Sequence, residues 1–240
     1  MEYRKGAGRA FMLLVAFIFA SFSLSDVCFA QKPLCYKTVP KSWVCLTVDD
    51  GSSNASIRSM LKTLKRYDVK CTFFVIGTYL LRKDNQPLWR QAVQDGHEIC
   101  YHTMRHQYVT GMTKKQILAD VAAWERAART VLGDSYVIPK YARLPGGSGS
   151  YDSRVLNTYS ECGYTVIRWN VDTLTGPRAR KISIKQYIRR AVGPGAIILT
   201  HFNGADASAL PGYIVWLKQK YRMGRLSDAF ALPDTPAPAV

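Results

Sequence analysis

From residue 43 almost to its end, this chain alternates short apolar runs with amphipathic stretches. WVCLTV (43–48), CTFFVI (71–76), HEICY (97–101), KYAR (140–143), YTVIRW (164–169), AIILT (196–200) and, less regularly, RMGRL (222–226) have the length and make-up of strands. Between them, Ile117, Val121, Trp124, Ala128 and Val131 form one apolar stripe on a helix over 113–132. Ile57, Leu61 and Leu64 do the same over 55–67. Gly96, Gly133, Gly163 and Gly193 stand where helix C-terminal glycines are expected. Strands separated by helices pair in parallel, because parallel neighbours need a crossover. Seven of them suit either an open doubly wound sheet or a barrel, and periodicity alone does not choose.

The alternation leaves out both ends of the chain. Residues 1–30 have the layout of a secretory signal peptide: Arg4, Lys5 and Arg9, then FMLLVAFIFA, then CFA ending at Ala30. Their apolar stretch, broken at Ser21, Ser23 and Ser25, is shorter than the ~18–20 residues of a membrane span, so export with cleavage is preferred to an anchor. The expected organisation is signal peptide 1–30, linker 31–42, one α/β domain over 43–229 and a Pro/Ala-rich tail at 230–240. Cleavage leaves 30 Lys and Arg against 15 Asp and Glu, a formal charge of +15. Such a surface attracts polyanions, including an anionic cell envelope. No nucleic-acid motif accompanies the charge, so no specific nucleic acid is expected, and no obligate protein partner is evident. Five cysteines remain after cleavage, without CxxC spacing, and Cys45, Cys71 and Cys100 in apolar strands are expected to be buried thiols.

In either α/β architecture chemistry collects at the carboxyl ends of the strands. Five of the strands run into polar residues there: Asp49-Asp50-Gly51, then His102 and His106, Arg143 with LPGG, Asp172, and His201. HxxxH places two imidazoles on one face of a helix, within reach of one cation. Two imidazoles, one carboxylate and an open position make the minimal catalytic zinc set. The DDG dipeptide supplies that carboxylate and a second one to act as base. Because successive strand residues face opposite sides, Asp49 and Asp50 are expected to do different work. His97 falls inside its strand and is read as structural.

The ordered set LTVDDG (46–51), GHEICYHTMRH (96–106), ARLPGG (142–147), WNVDTLTG (169–176) and IILTH (197–201) resembles the NodB-type polysaccharide deacetylases, carbohydrate esterase family 4. The resemblance covers about 43–229 and implies a single α/β domain built as a distorted seven-stranded (β/α) barrel. It implies Asp49 as general base, Arg143 holding that base ionised, and His201 as general acid with Asp172 orienting or tuning it. It further implies Asp50, His102 and His106 as ligands of a divalent metal, with zinc preferred and cobalt or nickel as substitutes. Gly146, Trp169 and Leu199 would line the substrate groove, the N–H of Gly146 stabilising the oxyanion.

Three departures leave the reaction untouched: the first changes packing, the other two the walls of the groove. Val48 stands for the usual Phe, Gly146 for a frequent Tyr, and Thr175-Gly176 for the usual Asp-Trp. The implied activity is removal of acetyl groups from N-acetylglucosamine-containing polysaccharide: peptidoglycan, chitin-like oligomer or exopolysaccharide. The rival readings are an acetylxylan O-acetyl esterase and a non-catalytic carbohydrate-binding member of the same fold. Retention of both an acid and a base argues against the latter, since a binder needs neither.

Overall fold

A computed structural model describes residues 35–231. The strands, numbered in chain order, are β1 (Cys35–Tyr36), β2 (Trp43–Asp50), β3 (Thr72–Val75), β4 (Glu98–Tyr101) and β5 (Tyr141–Ala142). They continue with β6 (Thr165–Ile167), β7 (Val171–Asp172), β8 (Ile197–His201) and β9 (Arg222–Met223). The α-helices are α1 (Asn54–Arg66), α2 (Gly77–Leu81), α3 (Gln86–Gln94), α4 (Lys114–Leu132) and α5 (Ser153–Glu161). After them come α6 (Thr175–Arg180), α7 (Ile184–Ala191), α8 (Gly204–Ala209), α9 (Pro211–Lys220) and α10 (Leu226–Ala231). All seven expected strands are present, every strand pairing is parallel, and the order β1-β6-β5-β4-β3-β2-β8-β7 is that of a curled, incompletely closed barrel.

The alternation of β2 explains how the barrel holds together. Val44, Leu46 and Val48 face outward into the large apolar layer under the helices, together with Ile57, Leu61, Leu64, Ile117, Val121 and Trp124. Cys45 faces inward and packs in the lumen with Phe74, Cys100, Ile167 and Ile197. Trp124 is fully buried, and its indole N–H donates to the carbonyl of Val75 at 2.7 Å, tying α4 to the end of β3. Thr113 caps α4 in a reciprocal box with Gln116, one residue inside the expected start. Cys45, Cys71 and Cys100 are free and buried, as their apolar setting required; Cys162 is free and half-buried.

Of the stretch read as a linker, residues 35–38 join the sheet. Cys35–Tyr36 pairs with Val166 and Ile167, and Thr38 bridges Ala196 just before β8. The segment thereby reaches across the gap between β6 and β8, which two residues of strand were too short to announce. The domain also runs past 229: Phe230, on α10, stacks on Tyr36 and Tyr141 at 4.8 and 5.8 Å. Gly96, Gly133 and Gly163 have positive φ, but Gly193 does not: α7 is capped at Val192, and the positive φ, +79°, falls on Gly195 in the turn into β8. The signal-peptide reading falls outside the described residues.

One end of the lumen is sealed. Leu226 and Ala229 of α10 join the inner cluster, while Glu98 accepts hydrogen bonds from Thr72 Oγ1, Ser227 Oγ and Ser227 N–H. A buried carboxylate is tolerable only when so satisfied. Chemistry is thus left to the opposite end, where the strands finish.

His97, expected inside its strand, stands just before β4, its ring against Phe73, and its Nδ1 accepts the N–H of Cys71 at 3.1 Å. Burial first, then the charge of Lys70, lowers its pKa from 6.5 to about 4. The unfolded chain therefore takes up the proton first, so the stabilisation is full above about pH 6.5 and is lost as the pH falls toward about 4. The drop amounts to about 3 kcal/mol. Urea unfolding at pH 7 and pH 4 should show wild type losing that much more stability than His97→Asn; equal losses would refute the assignment.

Candidate active site

Asp49, Asp50, His102, His106, Gly146, Trp169, Asp172, Leu199 and His201 all line one pocket of about 340 Å³ at the carboxyl ends of the strands. Arg143 lies just beneath it, wholly buried. Every residue picked from the motifs is thus at or under a single mouth.

Asp49 follows Cys45 and Thr47 on the inner face of β2 and is 3% exposed. Its Oδ1 accepts a hydrogen bond from Arg143 Nη1 at 3.0 Å. The guanidinium also donates from Nε to the carbonyl of Ile167 at 2.7 Å, and from Nη2 to Thr47 Oγ1 and the carbonyl of Arg168, both at 3.2 Å. Phe74 and Trp169 flank it at 4.4 and 5.2 Å. Burial pulls the guanidinium below its ordinary pKa, and the Asp49 carboxylate opposes that pull. Asp49 Oδ2 is left toward the pocket, 3.9 Å from His102 Nε2.

Strict alternation would point Asp50 away from Asp49, onto the opposite face of β2. It does not, because Asp50 adopts φ +78° and turns the chain as the strand ends. Positive φ costs a non-glycine residue on the order of 1–3 kcal/mol, and aspartate is among the residues that tolerate it. The two histidines correct a second expectation. Residues 102–107 form an irregular loop rather than a helix, with Thr103 and His106 both at φ +59°. The rings nevertheless come together, their centroids 5.1 Å apart.

Asp50 Oδ1 stands 3.2 Å from both His102 Nε2 and His106 Nε2, and the three donor atoms lie within 4.8 Å of one another. Burial works to raise the Asp50 pKa, but hydrogen bonds from the two imidazoles outweigh it and hold the carboxyl below its ordinary range. The bond to Asp50 raises the pKa of His106. His102 Nδ1 lies 2.7 Å from the carbonyl of Arg143, an atom that only accepts. Nδ1 therefore carries a proton, and a cation at the triad would displace the Nε2 proton that bonds Asp50 and take up that lone pair. Two imidazoles and a carboxylate so oriented fit a divalent metal.

The loop is anchored by Asp120, which the motifs did not reveal. Its carboxylate accepts from Tyr101 Oη at 2.5 Å, from Met104 N–H at 3.0 and 3.3 Å, and from Gln107 Nε2. A signal did exist in the sequence: Asp120 is the one carboxylate on the apolar stripe of α4, between Ile117 and Trp124.

His201 ends β8 opposite Asp49 in register. Asp172 was expected to orient it, yet the Asp172 carboxylate is occupied locally, accepting from Leu174 N–H, Thr175 N–H and Thr175 Oγ1 at 2.7, 3.2 and 2.7 Å. The carboxylate beside His201 is Asp206, whose Oδ2 accepts the His201 backbone N–H at 3.0 Å and lies 3.8 Å from ring Nδ1. Its proximity depends on Asn203, which caps the short helix α8 by accepting Asp206 N–H at 2.8 Å. Tyr108 and Leu174 also line the pocket without having been foreseen. Gly146, at φ +60°, sits under the tyrosine: a Cβ at 146 would lie 2.9 Å from Tyr108 Cε1. Tyr108 thus occupies the wall beside the glycine, and a side chain at 146 would displace it.

Comparison with known proteins agrees with this geometry. The family profile described as polysaccharide deacetylase matches residues 36–167, more than half of the chain. A chitooligosaccharide deacetylase of Bradyrhizobium sp. (strain ANU 289) is 35% identical over 159 residues, covering 66% of this chain and 69% of that protein. The Bc1960 peptidoglycan N-acetylglucosamine deacetylase superposes with a TM-score of 0.73 at 25% identity, over 85% of this chain and 95% of its own. BA3943, a CE4 family pseudoenzyme from Bacillus anthracis, superposes with a TM-score of 0.72 at 25% identity, over 82% and 69%.

Removing the anchor of the loop should loosen the cation site without touching it. Asp120→Asn is expected to weaken zinc affinity about 10–100-fold, the usual effect of losing a group that orients ligands. Competition with a chromophoric chelator measures this, alongside the melting temperature. Unchanged affinity in a folded variant would show that the loop holds its own shape.

Proposed function

This chain belongs to the polysaccharide deacetylase family, and from that premise we propose that it is a metal-dependent hydrolase removing acetyl groups from N-acetylglucosamine-containing polysaccharide. The observation that carries this reading is the convergence of Arg143-paired Asp49 and His201 on the Asp50–His102–His106 triad, at the mouth of one pocket. A pure binding site has no use for an acid and a base on either side of a metal triad. The assigned metal is zinc, with cobalt or nickel as substitutes, because two imidazoles and one carboxylate with an open position suit it. Export with loss of residues 1–30 is the reading of the N-terminal sequence.

The roles follow from chemistry. Asp50, His102 and His106 would hold a divalent metal, whose chemistry there would be to acidify a water toward neutrality and polarise the acetyl carbonyl. Asp49 takes the proton from the attacking water; Arg143 turns its carboxylate the right way. The N–H of Gly146 donates to the oxygen on which negative charge develops. His201 then gives a proton to the departing amine, which is a poor leaving group as an anion. Asp206 holds the backbone of that histidine and places a carboxylate 3.8 Å from its ring Nδ1. Trp169 and Leu199 form the walls against which the sugar lies.

Two sets of measurements test the reading. Acetate release should be followed side by side on chitooligosaccharides, peptidoglycan and acetylxylan, with and without chelator. Chelator-sensitive release from the N-acetylated glycans is expected. Release from acetylxylan alone would make the protein an esterase, and none at all would leave a carbohydrate-binding protein.

The second set separates the adjacent aspartates. Asp50→Asn, His102→Ala and His106→Ala should lose bound zinc. Asp49→Asn should keep it while activity falls about 10²–10⁴-fold, since an amide cannot take the proton. His201→Ala should also keep zinc, and should harm an amide substrate more than an activated ester. An Asp49→Asn protein without zinc, or with wild-type turnover, overturns the assignment.

A further inference from the structure

Beside the active-site pocket lies a second cavity of about 510 Å³, and Leu174 lines both. Its walls come from the β7–α6 turn, the α6–α7 connection and the start of α8, with Arg178 and Lys181 among the lining residues. Between Thr173 and Ala205 the chain carries Arg178, Arg180, Lys181, Lys185, Arg189 and Arg190 but no aspartate or glutamate. All six cations are exposed, and none makes an ion pair within 4.0 Å among the described residues. The only carboxylate in the lining, Asp206, is 2% exposed, and its Oδ2 is occupied by His201 N–H and Asn203 Nδ2. Arg178 and Lys181 against the one buried carboxylate, whose Oδ1 has no hydrogen-bond partner, leave the wall net positive, and the exposed cations around it add to a field that concentrates anions.

We infer that this cavity is a subsite for a carboxylate borne by the glycan, so that the preferred substrate is an acidic acetylated polysaccharide rather than a neutral one. The inference rests on the deacetylase reading for its place in the reaction, but not for the binding itself. With the acetylated sugar in the active-site pocket, the chain of the polymer continues past Leu174, and a carboxylate on the next residue meets Arg178 and Lys181. Arginine suits the task because its planar fork matches a carboxylate's two oxygens. The departure at Thr175-Gly176 adjoins this wall, consistent with a groove reshaped for a different neighbour sugar. Gly176 leaves room for Tyr187, whose ring stacks against Arg180 at 5.2 Å and braces α6 against α7.

The test uses soluble peptidoglycan glycan strands freed of stem peptides, whose lactyl carboxylates are exposed, and the same strands after methyl esterification. Calorimetric affinity is compared with acetate release for wild type and for Arg178→Ala/Lys181→Ala. Wild type should bind the free-acid strands about three- to tenfold more tightly than the ester, the sum of two exposed ion pairs. The preference should shrink in 1 M salt, where charges are screened beyond about 3 Å. In the double variant the ratio of affinities should collapse toward one, and the ratio of kcat/KM with it. Equal binding of acid and ester by wild type, or a preference that survives in the double variant, overturns the subsite. If neither strand releases acetate while the binding preference holds, the deacetylase reading fails and the subsite stands.

Discussion

A guanidinium buried at the centre of the barrel ties the structure together. Arg143 sits at the end of β5, yet its donors reach Asp49 and Thr47 on β2, the last carbonyl of β6 and the carbonyl of Arg168 just beyond it. A buried cation is costly unless its donors are satisfied, and breaking a buried pair by removing one partner typically costs about 3–5 kcal/mol. Strands that are not neighbours are therefore held in one relative position. The same residue's carbonyl orients His102, so one side chain and its own backbone position both Asp49 and His102.

Around that fixed point, strain is concentrated where the chemistry is. Asp50, Thr103 and His106 all adopt positive φ without being glycine. Each would relax if the surroundings allowed, and Asp120 is what prevents it on the histidine loop. The cost is carried by α4, whose apolar stripe holds Asp120 in place through Ile117, Val121 and Trp124. Core packing and site geometry are in this sense one problem.

The groove is less constrained than the reaction centre. Tyr108 lies 68% exposed over Gly146, and the α6–α7 wall is built from a short helix and exposed cations. Substitutions there change what the polymer touches without disturbing Arg143, Asp49 or the triad. The likeness to both a protein named as a deacetylase and one named as a pseudoenzyme fits that division, since the barrel itself does not enforce turnover.

The alternation of apolar runs and amphipathic stretches determined the parallel sheet, the positions of its strands and the inward face of β2, because burial obeys periods of two and 3.6. The sequence by itself also determined which polar residues stand at strand ends, and so the members of the site. Tertiary structure alone decided how they meet. Asp50 joins Asp49 through a backbone turn that no alternation describes, and the two histidines approach across a loop rather than a helix. Residues 35–38 reach the gap beside β8, though two residues of strand carry no pattern of their own. His201 finds Asp206 rather than Asp172, because the cap at Asn203 folds the chain back on it and Thr175 engages the other carboxylate. Periodicity reports which side of an element is buried; contacts between elements depend on where turns, caps and long side chains close in space, and a linear pattern does not carry that.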